Sequence, residues 1–539
     1  MSHPFNEQYR FGSAGWATEA DLNRAGLFRP RGPQIGYFNN KPLHLDGDAP
    51  MITVGGAGSG KLRDLLGYVV CNSPGQRMIG LDPRGELASV SAHVHATNGE
   101  YAWHWNPVGL CGLPGNRCNP LDILDPASVN FHADCKFIAE GLIPLSGSGS
   151  GKYFELRARE WLENLLKSIA EQSGHVSLPM LYRVINTVEA DQARWADQLE
   201  AMLKSQFEGV RRCAGEMLVK QQDGEKEFGS IMGEIYAYLG FMDDPVLLAS
   251  LEHPEFSLSS LCDPARSCKV FLNIPAEYLS IWSPLIRLFF TITMLYKARA
   301  PEAPRVMLLV DEAGQLGKFE ALLRAFTYGR GAGVRAWAIF QDAGQITRNF
   351  GQPALQGFLG SAQMRQFFGV RDYETAQLIS NMLGRETLEY DDTLKQEAAK
   401  RQKRDAVRKL FIEGGDPFDA AHGINQARFE ETHRTKQQRS LMSPDEIIAM
   451  PEDRQILFIS GKDLKPIFAE KYPYYTRREM AGMYLANPYH PPIDSVSVAT
   501  RFGTKRAAIV QERVPGSLSS FPQYADKTWA YVNGYKPNF

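Results

Sequence analysis

The 539-residue sequence has no long hydrophobic run and no surplus of charge of either sign. Its longest apolar stretch, IWSPLIRLFFTITMLY (281–296), is shorter than the roughly 20 residues of a bilayer-spanning helix, and it contains Arg287. We therefore expect a buried helix there and no transmembrane span in this chain. The N-terminus also lacks the basic start and apolar core of a secretory signal.

Neither charge nor cysteine content points to a particular partner. The 59 basic and 61 acidic residues give a net charge of −2, so no global field draws the protein to nucleic acid or to an anionic membrane. Any such binding requires a local patch. The seven cysteines are an odd number and lack the two-residue spacing of zinc or redox pairs, which favours a reducing cytoplasm.

Short aliphatic runs predict a parallel sheet. The runs 51–55, 77–82, 305–312 and 335–342 are each followed by Gly, Asp or Gln and then by a helical pattern, as in alternating β and α units, and 269–275 and 363–370 are two further candidates. Such units form an α/β fold that binds ligands at the carboxyl ends of its strands. The predicted strands are 51–55, 77–82, 269–275, 305–312, 335–342 and 363–370.

The pattern changes to helical periodicity alone between residues 153 and 251. This predicts an all-α domain interrupting the sheet domain. Residues 454–460 and 465–472 are typical of a late hairpin that returns to the sheet, and the aromatic tail from about residue 491 is expected to be irregular. The predicted segments are 1–150 (N-terminal segment and first part of the nucleotide-binding domain), 151–262 (all-α insertion), 263–490 (second part) and 491–539 (tail).

A phosphate-binding loop is predicted by GGAGSGK, which follows the first predicted strand and precedes a helix. Glycines let backbone N–H groups face phosphate oxygens, and Lys61 would neutralise the β- and γ-phosphates. The alternative is a tight glycine turn. The predicted nucleotide-binding residues are Gly55, Gly56, Ala57, Gly58, Ser59, Gly60, Lys61 and Leu62.

Leu62 departs from the motif, because a serine or threonine hydroxyl normally ligates Mg²⁺ at this position. The substitution removes one ligand oxygen, which a water molecule can replace. ATP and Mg²⁺ remain the expected cofactors.

The run RVMLLVDE predicts a second functional strand end. Beside a phosphate loop, Asp311 would hold the Mg²⁺ shell and Glu312 would act as general base for the attacking water; alone, the pair could equally be helix N-terminal charges. Gln341 ends another predicted strand and is placed to sense the γ-phosphate. Arg330 is either a surface arginine or a finger that reaches a neighbouring subunit's γ-phosphate.

Several motifs together resemble the type IV secretion coupling proteins of the TraG/TraD kind, which are RecA-like motors related to FtsK translocases. The resemblance covers residues 12–475. It is carried by the phosphate loop, DPRGEL (82–87), NPLDIL (119–124), LLVDEAGQLGKFEALLRAFTYGRGAG, FQDAGQI and RDYETAQLISNMLGRET.

The resemblance implies a RecA-like nucleotide-binding domain interrupted by an all-α domain, and assembly into homo-hexamers with Arg330 as the finger. It implies recruitment of relaxase or effector protein substrates, with their DNA, to the type IV secretion channel components. Members commonly carry N-terminal membrane helices, whereas this chain reaches its phosphate loop after about 50 polar residues. Either the chain is a naturally membrane-less variant or it docks through a membrane partner, and we expect a cytoplasmic position at the inner-membrane face through such a partner.

Two other functions are compatible with the motifs. One is a nucleotide-binding adaptor that recruits substrates with little hydrolysis, since Leu62 weakens the metal site; the other is an FtsK-type DNA translocase. Whether the protein is a coupling ATPase or an FtsK-type translocase, the basic stretch 395–409 is the candidate for DNA contacts. These contacts would lack sequence specificity and could involve single strands or duplex. A solvated helix face is the alternative for that stretch.

Overall fold

The computed structural model describes residues 12–145, 151–390, 393–412, 422, 425, 435–489, 494–500 and 503–536. They form two compact units. The larger comprises the described parts of 19–369, 451–464 and 468–539, and the smaller those of 1–18, 370–450 and 465–467.

An eleven-stranded sheet is the centre of the larger unit, in the order β2-β1-β13-β12-β9-β3-β8-β7-β4-β6-β5. The strands from β9 to β5 in this order pair in parallel, and β12 joins them antiparallel to β9. The predicted mostly parallel α/β fold is thereby confirmed, including the late hairpin of β12 and β13. The bounds are β1 Gln34–Phe38, β2 Lys41–His44, β3 Met51–Gly55, β4 Arg77–Asp82, β5 Tyr101–Trp105, β6 Cys268–Asn273, β7 Val306–Val310, β8 Val334–Phe340, β9 Met364–Phe368, β12 Arg454–Ile459 and β13 Ile467–Glu470.

The central strands are hydrophobic on both faces, which explains why they lie in the middle of the sheet. Every residue of β3, β7 and β8 is buried. Strand β8 lies between β3 and β7, with Val54 opposite Phe340 on one side and Val310 opposite Ala338 on the other. The carboxyl ends of these three strands therefore lie side by side.

Helices cover the two faces of this sheet. The apolar run at 281–296 belongs to α11, whose side chains are mostly buried, so the predicted buried helix is confirmed. Among the described residues, no helix combines the length and the hydropathy that a bilayer span requires. The helices outside the insertion are α1 Glu19–Arg24, α2 Gly67–Cys71, α3 Glu86–Thr97, α4 Phe131–Leu142, α11 Ser283–Arg299, α12 Glu320–Tyr328, α13 Ala343–Phe350 and α14 Gln352–Ser361.

Every named element between Gly151 and Cys262 is helical. Side-chain caps define several boundaries: Ser177 accepts a hydrogen bond from the Met180 N–H, and Asp191 accepts one from the Arg194 N–H. The α-helices are α5 Gly151–Ser173, α6 Leu178–Ala190, α7 Gln192–Leu203, α8 Glu208–Asp223, α9 Glu225–Leu239 and α10 Pro245–Ser250.

The expectation of an irregular C-terminal tail is wrong. Its described residues form a three-stranded antiparallel sheet of β14 Ser495–Thr500, β15 Gly503–Arg513 and β16 Thr528–Val532. The polar residues along β15 conceal the alternation of a half-exposed strand, because Ala, Lys and Arg are weak strand formers.

The smaller unit contains a two-stranded antiparallel sheet of β10 Arg385–Tyr390 and β11 Thr435–Ser440. Its helices are α15 Tyr373–Leu383, α16 Thr393–Ile412 and α17 Pro444–Ile448. Gly12 and Ala14 attach to β10, because Thr387 Oγ1 donates to the Gly12 carbonyl and the Ala14 N–H to that of Arg385. The predicted domain boundaries do not separate this unit, and they stay a prediction.

Candidate nucleotide-binding site

The predicted phosphate loop joins β3 to a helix that begins with one π turn over Leu62–Leu66 and continues as α2. Two of its glycines cannot be replaced without a backbone clash or backbone strain. A Cβ on Gly56 would lie 2.1 Å from the Gly369 carbonyl oxygen, and Gly60 has a φ of +83°. The loop thus has the close backbone approach and the left-handed residue that a phosphate cradle requires.

A buried ion pair between Lys471 and Asp64 supports the phosphate loop. Lys471 Nζ donates to Asp64 Oδ2 at 2.7 Å and to the Ser59 carbonyl oxygen at 2.8 Å. Arg63 also forks the same carboxylate through two hydrogen bonds of 2.6 and 2.9 Å. Burial lowers the pKa of Lys471, and the nearby Asp64 carboxylate opposes that effect. The pair ties strand β13 and the π turn to the loop backbone.

Three predicted residues meet at the carboxyl edge of the sheet. Lys61 Nζ donates to Glu312 Oε1 at 2.6 Å, and Gln341 Nε2 donates to Glu312 Oε2 at 2.7 Å. The arrangement follows from the strand order, since β8 carries Gln341 between the strands of Lys61 and Glu312. Both oxygens of the Glu312 carboxylate are therefore engaged in this state.

Asp311 lies directly beside them. Its Oδ1 accepts a hydrogen bond from the Glu312 N–H at 3.0 Å. Burial raises the pKa of Asp311 to about 6, with Lys61 opposing the shift and the Glu312 charge adding to it. Glu312 has a φ of +51°, a left-handed conformation that is uncommon for a residue other than glycine and that recurs at active sites.

Sequence reasoning assigned no role to two further carboxylates. Asp82 and Glu86 line the same cavity, of about 990 Å³, as the phosphate loop and Asp311. Burial raises the pKa of Asp82 to about 7, although the Ala88 N–H donates to it at 2.9 Å. The position of Asp82 at the end of β4 could have predicted its place in the site, because the same feature identified Asp311.

The residues present fit a magnesium nucleotide. The Ser59 hydroxyl is buried and has no hydrogen-bond partner among the described residues, and a phosphate oxygen would satisfy it. Buried carboxylates with raised pKa values suit a hard divalent cation. No group of three or more His, Cys, Asp and Glu in the described chain could hold a metal unaided, consistent with a Mg²⁺ that takes most of its ligands from phosphates and water.

Leu62 lines the cavity where the hydroxyl of the usual serine or threonine would lie. It contributes no oxygen, so Asp311 is the metal ligand that the sequence prediction still names.

Arg330 is not part of this constellation. It lies before β8, whereas Gln341 follows that strand, and seven residues of strand separate the two edges by about 23 Å. Its side chain is 68% exposed, and its Nε pairs with Asp48 Oδ1 at 2.9 Å. Within one chain, Arg330 therefore lies far from the predicted catalytic residues.

The fold and the loop define a RecA-like P-loop protein. The chain matches the family described as "Type IV secretory system Conjugative DNA transfer" over residues 5–410 and 422–500. It belongs to this family, as the resemblance predicted.

Curated relatives have low identity and wide coverage. The chain is 22% identical to Protein VirD4 of Rhizobium radiobacter, covering 88% of this chain and 66% of that protein. It is 22% identical to conjugal transfer protein TraG of Escherichia coli, covering 82% and 72% respectively. The chain thus spans about two thirds of the length of these relatives.

Solved structures agree on the fold. The unbound conjugative coupling protein TrwBdeltaN70 superposes with a TM-score of 0.60 at 16% identity, covering 87% of this chain and 94% of that one. TrwB in complex with ADP and Mg²⁺ gives 0.59 at 18% identity, covering 87% and 95%.

Proposed function

We propose that this protein is the Mg²⁺-dependent ATPase of a type IV coupling apparatus. It would recruit relaxase–DNA or effector protein substrates and drive or license their transfer through the secretion channel. The observation that carries the proposal is the Lys61–Glu312–Gln341 constellation, which lies beside buried Asp311 at the carboxyl edge of the sheet. Family membership supplies the context of conjugative transfer.

Each residue of the constellation has a role in hydrolysis. Lys61 moves from Glu312 to the β- and γ-phosphates, which frees Glu312 Oε1 to accept a proton from the attacking water. Gln341 keeps its bond to Glu312 Oε2 and orients that carboxylate. Asp311, ionised above its pKa of about 6, would hold the metal shell. When bound there, Mg²⁺ would supply positive charge that offsets the negative charge developing on the phosphates.

Arg330 acts on a neighbouring subunit in this proposal. Its exposed guanidinium lies at the sheet edge opposite its own site, so it can reach reacting phosphates only in another copy. The ring of Tyr328, two residues earlier, is 77% exposed. Aromatic residues and arginine are enriched at protein interfaces, which supports a contact between subunits here. The homo-hexamer is the assembly that the family resemblance implies.

The basic helix α16 is the proposed DNA contact. Lys400, Arg404 and Arg408 are exposed and spaced by four residues, so they share one helix face. Several phosphate contacts would make the affinity for single-stranded DNA fall steeply with salt. A triple replacement of these residues by Ala should flatten that slope; an unchanged slope would remove α16 from the DNA site.

Leu62 favours one second candidate, a nucleotide-binding adaptor that recruits cargo without turnover. Placement at the inner-membrane face beside the secretion channel is proposed for both candidates, on the family match.

The variant Glu312→Gln tests the proposal, because it keeps the hydrogen bond from Gln341 but removes the proton acceptor. We expect turnover to fall at least about 100-fold while ATP binding is retained. Glu320→Gln, at an exposed position, is the matched control. Wild-type protein that binds ATP without turnover would instead identify the adaptor.

A further inference from the structure

The C-terminal sheet of β14, β15 and β16 forms a wall of the cavity that contains the phosphate loop. Val496, Ile509, Ala530 and Val532 line this cavity together with Lys61 and Asp311. One residue or more from each strand of the sheet therefore faces the predicted nucleotide site.

Strand register shows that one face of the sheet forms this wall. Ile509 lies opposite Val532, and Ala530 lies opposite Gln511, two residues along the same strand as Ile509. Directly paired residues share a face, and so do residues two apart along a strand. Val496, Ile509, Ala530 and Val532 therefore share one face of the sheet, and Tyr531 of the opposite face also reaches the cavity.

The other face fixes the sheet in place. Trp529 and Tyr531 pack in a hydrophobic cluster with Leu485 and Leu518, and Ala92 of helix α3 packs against this cluster. The burial of two aromatic rings makes this a stable attachment.

Hydrogen bonds add to the attachment. The Leu485 N–H donates to the Val90 carbonyl at 2.8 Å, and Gln523 Nε2 donates to the Ser89 carbonyl at 3.1 Å. Both acceptors lie on α3, which follows β4 at the carboxyl edge of the central sheet. The wall is thus held to the same edge that carries the phosphate-binding residues.

The wall has the wrong chemistry for phosphate and the right chemistry for a base. The phosphate loop and Lys61 line the same cavity and account for the phosphates. Nucleotide pockets combine a few polar groups with a largely apolar surface, and four aliphatic side chains supply such a surface here. The cavity, at about 990 Å³, has room for a base and a sugar beyond the phosphates.

We propose that the C-terminal sheet is the wall against which the base and sugar of the bound nucleotide pack. The inference rests on the proposed function and deepens it, since it assigns to residues 495–532 a direct share of the ATP site.

Photolabelling of the full chain with 8-azidoadenosine triphosphate tests the contact directly. We expect the label on peptides from β14, β15 or β16, displaced by excess ATP and lost in Lys61→Ala. A label that ATP displaces but that lies only outside residues 494–536 would overturn the inference and leave the proposed function intact.

Calorimetric binding gives an independent test. Ile509→Ala removes apolar contact from the wall and should raise the Kd for ATP about fivefold, as expected for a partial loss of three carbons. The Kd for inorganic tripolyphosphate, which has no base, should not change. Ile448→Ala, at a 39% exposed position in the smaller unit, is the matched control.

The outcomes separate the two claims. Equal ATP affinity of Ile509→Ala and wild type, or equal wild-type affinity for ATP and tripolyphosphate, would refute the base wall alone. Wild-type protein that binds neither compound would refute the proposed function itself.

Discussion

Replacing Lys471 by Met should weaken the support of the phosphate loop. Lys471 is 2% exposed and its Nζ contacts both Asp64 and the Ser59 carbonyl. Methionine keeps the length of the side chain but leaves a buried carboxylate without this partner. Breaking a buried ion pair by removing one member costs about 3–5 kcal/mol.

The contacts of Arg63 reduce the expected cost of removing Lys471. Arg63 still forks Asp64 through two hydrogen bonds, so part of the carboxylate charge remains neutralised. We therefore take the lower end, about 3 kcal/mol, and add about 1 kcal/mol for the lost hydrogen bond to Ser59. The expected loss in the free energy of unfolding is about 4 kcal/mol, with a raised KM for ATP because the loop backbone loses a donor.

Urea unfolding followed by tryptophan fluorescence measures the first effect, and steady-state kinetics the second. Lys318→Met is the control, since its pair with Glu320 is about half exposed and is worth at most about 1 kcal/mol. Adding Asp64→Asn to Lys471→Met should restore part of the stability, because the unpaired buried charge is then gone. A Lys471→Met variant as stable as Lys318→Met would refute this reasoning.

Three further predictions concern the catalytic residues. Burial raises the pKa of Asp311 to about 6, so the carboxyl takes up a proton as the pH drops below 6. We therefore expect kcat/KM to fall about tenfold per pH unit below pH 6. A kcat/KM that stays constant down to pH 5 would contradict this. Leu62→Ser adds a ligand oxygen and should lower the Mg²⁺ concentration for half-maximal turnover severalfold. Leu203→Ser, at an exposed position, is the control and should leave that concentration unchanged. Equal Mg²⁺ concentrations for Leu62→Ser and wild type would show that the hydroxyl is dispensable. Arg330→Ala and Lys61→Ala should each be inactive alone. If Arg330 acts in trans in a ring, an equal mixture of the two variants should recover roughly a quarter of wild-type turnover. An inactive mixture would place Arg330 outside the site.

The core of the fold could be predicted because its strands are continuous aliphatic runs. β3 and β4 have the predicted bounds, and β7 and β8 differ by at most two residues at an end. β1 and β5 were not predicted, because Gln34 and Gly36 in β1 and His104 in β5 interrupt the aliphatic run that marks the central strands. The same weakness hid the C-terminal sheet, whose strand β15 carries charged residues on its exposed positions.

The residues of the candidate site could be predicted only where they follow the carboxyl end of a buried strand. Lys61, Asp311 and Gln341 each follow a buried strand, and parallel strands bring such ends together. Lys471 could not be found in this way, because it lies 407 residues from Asp64 and no local pattern marks it. The aliphatic wall residues were missed for a related reason: an apolar side chain has no motif, and only its place in the cavity indicates a role.

ATP hydrolysis by the purified chain, with and without single-stranded DNA and beside Lys61→Ala, tests the central claim most directly. The account predicts turnover that requires Lys61 and Mg²⁺ and that rises with DNA. Wild-type turnover equal to that of Lys61→Ala would contradict it.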